Sequence, residues 1–193
     1  AVEQRRGISF DLEQFKTAVE TARNTWSQTW VEEYRTIPAA EWLGVMLNGL
    51  GISLNPDHLF EIQTTMENRI LKNLPSLVPE AKAVLADLSA RHHLALISDT
   101  GITPGRVLRQ ILRNDDVIGY FTHLTFSDEV GLSKPHPDAF WSTLDALGVE
   151  PHEAVHVGDL LRTDIAGAQG VGMRAVQYVG VNQDVWLKTS DAP

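Results

Sequence analysis

Two patterns of apolar and polar residues divide the chain. Over residues 1 to about 77 the spacing is helical only. Phe15, Val19, Ala22, Trp26 and Trp30 recur every three or four residues, which predicts an apolar stripe on a long helix. Asp11 stands where that helix needs an N-cap. A second helix is expected from Pro38, with Trp42, Val45, Met46 and Leu50 on its apolar side, and a third from about Asp57 to Leu74, with Leu59, Phe60, Met66, Ile70 and Leu74 inside. Packing between helices is the expected role of most tryptophans, with Trp26, Trp30 or Trp42 as candidates to line a pocket.

From about Leu77 the pattern alternates. Helical spacing over Pro79–Arg91, Gly105–Asn114, Pro137–Leu147 and Asp164–Gly170 is interleaved with short apolar runs. These runs, at Leu94–Ser98, His123–Ser127, Ala154–Gly158 and Arg174–Val179, read as strands, that at Val155–Val157 as a buried one. Such alternation predicts an α/β fold, a Rossmann-like parallel sheet with helices on both faces, beside a small all-helical unit. The expected division is 1–77 for the helical part and 78–193 for the α/β core.

Ligands of such sheets bind beyond the carboxyl ends of the strands, which directs attention to the residues there. The first strand runs into Ser98-Asp99-Thr100-Gly101, where a hydroxyl and turn N–H groups could receive an anion, although the same residues also make an ordinary turn. After the second strand, Lys134 stands in Ser-Lys-Pro-His-Pro at the mouth of a helix. A cation there opposes the helix dipole unless an anion or carboxylate sits nearby. The third strand ends in Gly158-Asp159-Leu-Leu-Arg-Thr-Asp164. Two carboxylates five residues apart suit a hard cation, or Asp164 caps a helix and Asp159 turns the chain.

In their order, LALISDTG, SDEVGLSKPHPDAF and AVHVGDLLRTDIAGAQGVGMRAV resemble the second, third and fourth motifs of the haloacid dehalogenase-like hydrolases. The resemblance is close over residues 79–180. Residues 1–78 loosely resemble the helical cap that this family inserts after its first strand. It implies that Ser98 and Lys134 are catalytic, and that both bind substrate phosphate with help from the Asp99-Thr100 turn. Asp159 would ligate Mg²⁺, and Asp164 would be a second carboxylate at the metal. The implied activity is a Mg²⁺-dependent phosphatase acting on a small phosphorylated metabolite through an aspartyl-phosphate.

The family's nucleophile, in Asp-x-Asp-x-(Thr/Val), is absent from the sequence. Asp11 offers only Asp-x-Glu after a candidate strand at Gly7–Phe10, and helix capping suits it better. The first core strand and its nucleophile are therefore expected upstream of residue 1. A phosphomutase, or an inactive relative kept as a binding or scaffold domain, are the alternative readings. A metal-free dehalogenase is disfavoured by the paired aspartates.

Composition narrows the partners. With 43% apolar and 21% charged residues the 193-residue chain is that of a globular protein, and a net charge of −9 without a basic stripe argues against nucleic acid. The absence of cysteine excludes disulfides and thiolate chemistry. No run has the ~18 apolar residues of a membrane span, and no secretory leader is recognisable, so a cytoplasmic location is expected. His152-Glu-Ala-Val-His156 matches the zinc-protease string. With His156 in a strand, however, the two imidazoles would lie ~13 Å apart, too far to share one ion.

Overall fold

The computed structural model describes residues 11–180. The candidate strand Gly7–Phe10 and the last residues of the expected core unit lie outside them. Helix α1 (Leu12–Glu32) begins where expected. Asp11 accepts the Gln14 N–H at 2.7 Å while Gln14 Oε1 accepts the Asp11 N–H at 3.1 Å, a reciprocal capping box. Asp11 is spent on starting a helix.

Helix α2 (Ala39–Gly49) packs against both α1 and α3 (Pro56–Glu67). Its innermost residues are Leu43 and Leu47, clustered with Ile52, and Met46, Leu50, Leu59, Ile62 and Met66 pack around them. The expected stripe of Trp42, Val45, Met46 and Leu50 is rotated by about one residue. A helix that is apolar on nearly all sides lets its neighbours choose the buried face. Phe60 and Leu74, expected inside, are 69% and 45% exposed. The reason is visible in α3, which ends at Glu67 and gives way to a 3₁₀ turn at Arg69–Lys72, so the helical phase does not carry on to Leu74.

The remaining elements alternate. They are α4 (Ala81–Ser89), β1 (Ala95–Ser98), α5 (Gly105–Asn114), β2 (His123–Phe126), α6 (Ser127–Val130), α7 (Pro137–Leu147), β3 (Val155–Gly158), α8 (Ala166–Gly170) and β4 (Arg174–Gln177). The one-turn α6 occupies a stretch expected to be loop. β1 pairs in parallel with β2, from Ala95 opposite His123 to Ser98 opposite Phe126. β3 pairs in parallel with β4, from Val155 opposite Arg174 to Gly158 opposite Gln177. The α/β class and the parallel pairing match expectation. The continuous sheet does not: among the described residues the strands form two separate ladders.

Helix α7 holds the ladders together. Phe140, fully buried, packs with Ala139 and Ala168, and the same cluster takes in Ile97 from β1 and Ala175 from β4. The helix therefore underlies both ladders and aligns their carboxyl ends. Among the described residues no helix is long and apolar enough to cross a membrane.

Candidate active site

The geometry converges on Lys134. Its chain leaves the α6–α7 connection and lies 9% exposed, with Nζ donating to Asp164 Oδ1 at 2.7 Å and to the Ile97 carbonyl at 3.2 Å. One ammonium thus joins the end of β1 to the turn that follows β3. The sequence placed a cation against the dipole of α7, and a buried carboxylate is what holds it there.

Asp164 is 3% exposed and its carboxylate is fully engaged. Oδ1 receives Lys134 and His156 Nε2 (3.2 Å), and Oδ2 receives the Leu160 N–H at 2.9 Å. Burial would raise its pKa, but the His156 hydrogen bond, the Lys134 charge and hydrogen bond, and the Leu160 N–H outweigh that, holding it well below the usual carboxylate range. Asp164 does not cap α8. The chain enters that helix through a π-helical turn, Leu161–Ile165, and Asp164 bonds backward to Leu160 instead of forward. π-turns inside helices are frequent at functional sites.

Asp159 is half-buried at the end of β3, with its carbonyl accepting from Gln177 Nε2 at 3.1 Å. Ser98 ends β1, half-buried, its hydroxyl 3.3 Å from the Asp99 carbonyl. Asp99 lies inward: Oδ1 accepts the Lys134 N–H at 3.0 Å and Oδ2 the Trp30 Nε1–H at 3.4 Å. Desolvation pushes its pKa up, opposed by the Lys134 charge and these hydrogen bonds. Thr100 is buried in a hydroxyl network. Its N–H donates to Ser127 Oγ at 2.7 Å and its Oγ1 accepts the Asp128 N–H at 3.1 Å. Thr36, from the segment after α1, closes that network.

The structure therefore brings Lys134, Asp99 and Asp164 into one connected group. Ser98 and Asp159 stand at the adjacent strand ends, and Thr100 is turned to the scaffold. Among the described residues no three His, Cys, Asp or Glu side chains cluster as a metal site. That does not oppose Mg²⁺, which keeps several waters and takes one or two carboxylates together with substrate phosphate. Asp159 and Asp164 are hard oxygen donors just beyond the end of β3, the chemistry such an ion requires.

Two participants, His156 and Arg162, escaped the sequence reading. His156, from the zinc-protease decoy, supports Asp164 and sets its ring edge-on to Phe140, centroids 5.3 Å apart. Its signal was a polar residue on the inward face of a strand, two positions before Gly158. Arg162 stacks over Trp30, Cζ 4.6 Å from the ring centroid, and Trp30 in turn stacks on Trp26 at 5.8 Å. Both indoles are half-buried at the strand ends, so part of the expected interhelical stripe faces the site. Ser133 Oγ, Arg162 Nη2 and Thr163 Oγ1 are buried without a hydrogen-bond partner, all beside Lys134 or Asp164.

In parallel α/β folds ligands bind beyond the carboxyl ends of the strands, and the buried Lys134–Asp164 pair lies there. The sequence profile of haloacid dehalogenase-like hydrolases matches residues 2–172, and the chain belongs to that family. It is 39% identical over 104 residues to glyceraldehyde 3-phosphate phosphatase of Pyrococcus furiosus, covering 52% of this chain and 41% of that one. It is 41% identical over 100 residues to phosphoserine phosphatase of Thermus thermophilus, covering 52% and 39%. The chain thus spans less than half the length of these relatives. The crystal structure of a phosphatase of the family from Thermococcus onnurineus superposes with a TM-score of 0.60 at 26% identity, over 95% of this chain and 76% of that one.

Proposed function

We propose that the protein is a Mg²⁺-dependent phosphatase acting on a small phosphate ester. The observation that carries this is Lys134, buried between Ile97 O and Asp164 Oδ1, in a chain of this family. A buried ammonium so fixed needs no reorganisation to meet a dianionic phosphoryl group, and phosphoryl transfer rests mainly on positioning and charge neutralisation. Ser98, at the end of β1, would donate to a phosphoryl oxygen. Bound at Asp159 and supported by Asp164, Mg²⁺ would supply further neutralisation of the phosphate. His156 and Lys134 hold Asp164 ionised. Helices α1–α3 would act as the cap that selects the substrate, and a cytoplasmic setting goes with this reading.

On this reading the nucleophilic aspartate would come from outside these 193 residues, since no Asp-x-Asp occurs within them. Among the described residues the two ladders stay separate, which leaves room for a further parallel strand between β1 and β3. The chain is then expected to bind inorganic phosphate in the presence of Mg²⁺ without hydrolysing para-nitrophenyl phosphate. Calorimetric titration tests the first point, with Asp159→Asn abolishing the Mg²⁺ dependence. Turnover by the 193-residue chain, lost in Asp159→Ala, would overturn the missing nucleophile. Failure to bind phosphate at all would favour a non-catalytic binding protein.

A further inference from the structure

We infer that Arg162 is a specificity-determining residue that selects phosphate esters carrying a carboxylate. This rests on the phosphate site proposed above and names the class of substrate it takes. Arg162 lies in the π-turn between Asp159 and Asp164, so its stem starts at the strand end where the phosphate would sit. Its guanidinium lies over Trp30, and the same indole donates through Nε1 to Asp99, which accepts the Lys134 N–H. One ring thus separates the guanidinium from the Lys134–Asp99 corner.

Stacking uses the face of the guanidinium and leaves its edge for hydrogen bonds. At that edge, Nη2 is buried with no hydrogen-bond partner. A buried donor left unmade is costly, and such a group in a folded protein calls for an explanation. Among the described residues no carboxylate pairs with Arg162, in a protein with 25 acidic against 16 basic residues. The phosphate's own charge is met by Lys134. The side chain as a whole is only half-buried. A second planar anion on the same molecule would approach its open side and draw Nη2 into the pair, and carboxylate matches that fork.

Calorimetric titration of the 193-residue chain in Mg²⁺ buffer, with ethyl phosphate and with phosphoglycolate, tests this. The two probes are similar in size and differ by the carboxylate. Wild type is expected to bind phosphoglycolate about tenfold more tightly, the size of one charge-assisted hydrogen bond. Arg162→Met should erase that preference and leave ethyl phosphate within about twofold of wild type, since only the second anion is affected. Arg162→Lys keeps the charge and stem, should melt with wild type, and should still lose most of the preference because it lacks the fork. Equal losses for both probes would overturn the assignment, making Arg162 a strut or a phosphate ligand. So would a wild type that binds both probes equally. If neither probe nor inorganic phosphate binds wild type, the phosphate site itself fails, and this assignment with it.

Discussion

Lys134 and Asp164 depend on each other in a way that makes their removal unequal. Replacing both by apolar groups can be nearly neutral, whereas removing one leaves the other as an uncompensated buried charge. Lys134→Met is therefore expected to cost about 3 kcal/mol at neutral pH, read from urea unfolding in chelator-treated buffer. The pH dependence follows from the depressed pKa of Asp164. Its pairing contributes stability above the unfolded carboxylate value of about 3.9, and that contribution is lost as pH falls through the lower folded value. The penalty of Lys134→Met should accordingly shrink below about pH 4, as the variant's Asp164 takes up a proton. A penalty unchanged between neutral pH and mild acid would mean that the pair is not what stabilises this corner. The sequence already marked Lys134, at the mouth of a helix, and Asp159 and Asp164, in the turn that follows a strand. It could not show that Asp99 lies inward, that Thr100 belongs to the scaffold, or that Arg162 meets Trp30. Those contacts join residues from 27 to 132 positions apart, and no local pattern records such distances.

At the scale of elements, glycines measure how closely the pieces approach. Gly167 in α8 faces α7 so tightly that an added Cβ would stand 2.6 Å from Phe140 and 3.0 Å from the Pro135 backbone. Gly167→Ala should cost about 1–3 kcal/mol through overpacking. Gly44 in α2 has open space where a Cβ would go and an ordinary helical backbone. Gly44→Ala should therefore stabilise by about 0.5–1 kcal/mol, because alanine loses less backbone entropy in a helix. Chemical denaturation of the two variants should give shifts of opposite sign. Element types were legible for the same reason that this contrast works. The run Leu94–Ser98 is short and almost wholly apolar, as two-sided burial favours, whereas Ala154–Gly158 is broken by His156 and leaves Val155 and Val157 exposed. Boundaries and faces were less legible. In α2 the neighbours α1 and α3 choose Leu43 and Leu47, and in α1 two tryptophans leave the interhelical stripe for the site. The π-turn at Leu161–Ile165 carries no pattern of its own, since tertiary bonds to Asp164 create it.

Across the whole molecule, beyond the Thr36–Ser127 and Ser133–Tyr34 hydrogen bonds, polar contacts at two further places tie the N-terminal helices to the α/β part. One is the Trp30–Asp99 hydrogen bond with Arg162 stacked beside it. The other is Glu67, 7% exposed at the end of α3, which forms an ion pair with Arg106 at the start of α5. Arg106 also reaches Asn68 at 3.4 Å. A buried glutamate needs its partner more than a half-exposed arginine does. Arg106→Ala should therefore destabilise by about 1–3 kcal/mol, the cost of leaving a buried acceptor unmade. Glu67→Leu together with Arg106→Met should recover most of that, because an apolar pair carries no desolvation penalty. A double-mutant cycle read from thermal unfolding measures the coupling. If the double variant is as unstable as Arg106→Ala, the tie is a packing contact and the charges are incidental. If it recovers while α3 exchanges its amide hydrogens faster, the ion pair serves to hold the helices in register over the strand ends, and there the position of Trp30 over Asp99 and Arg162 depends on it.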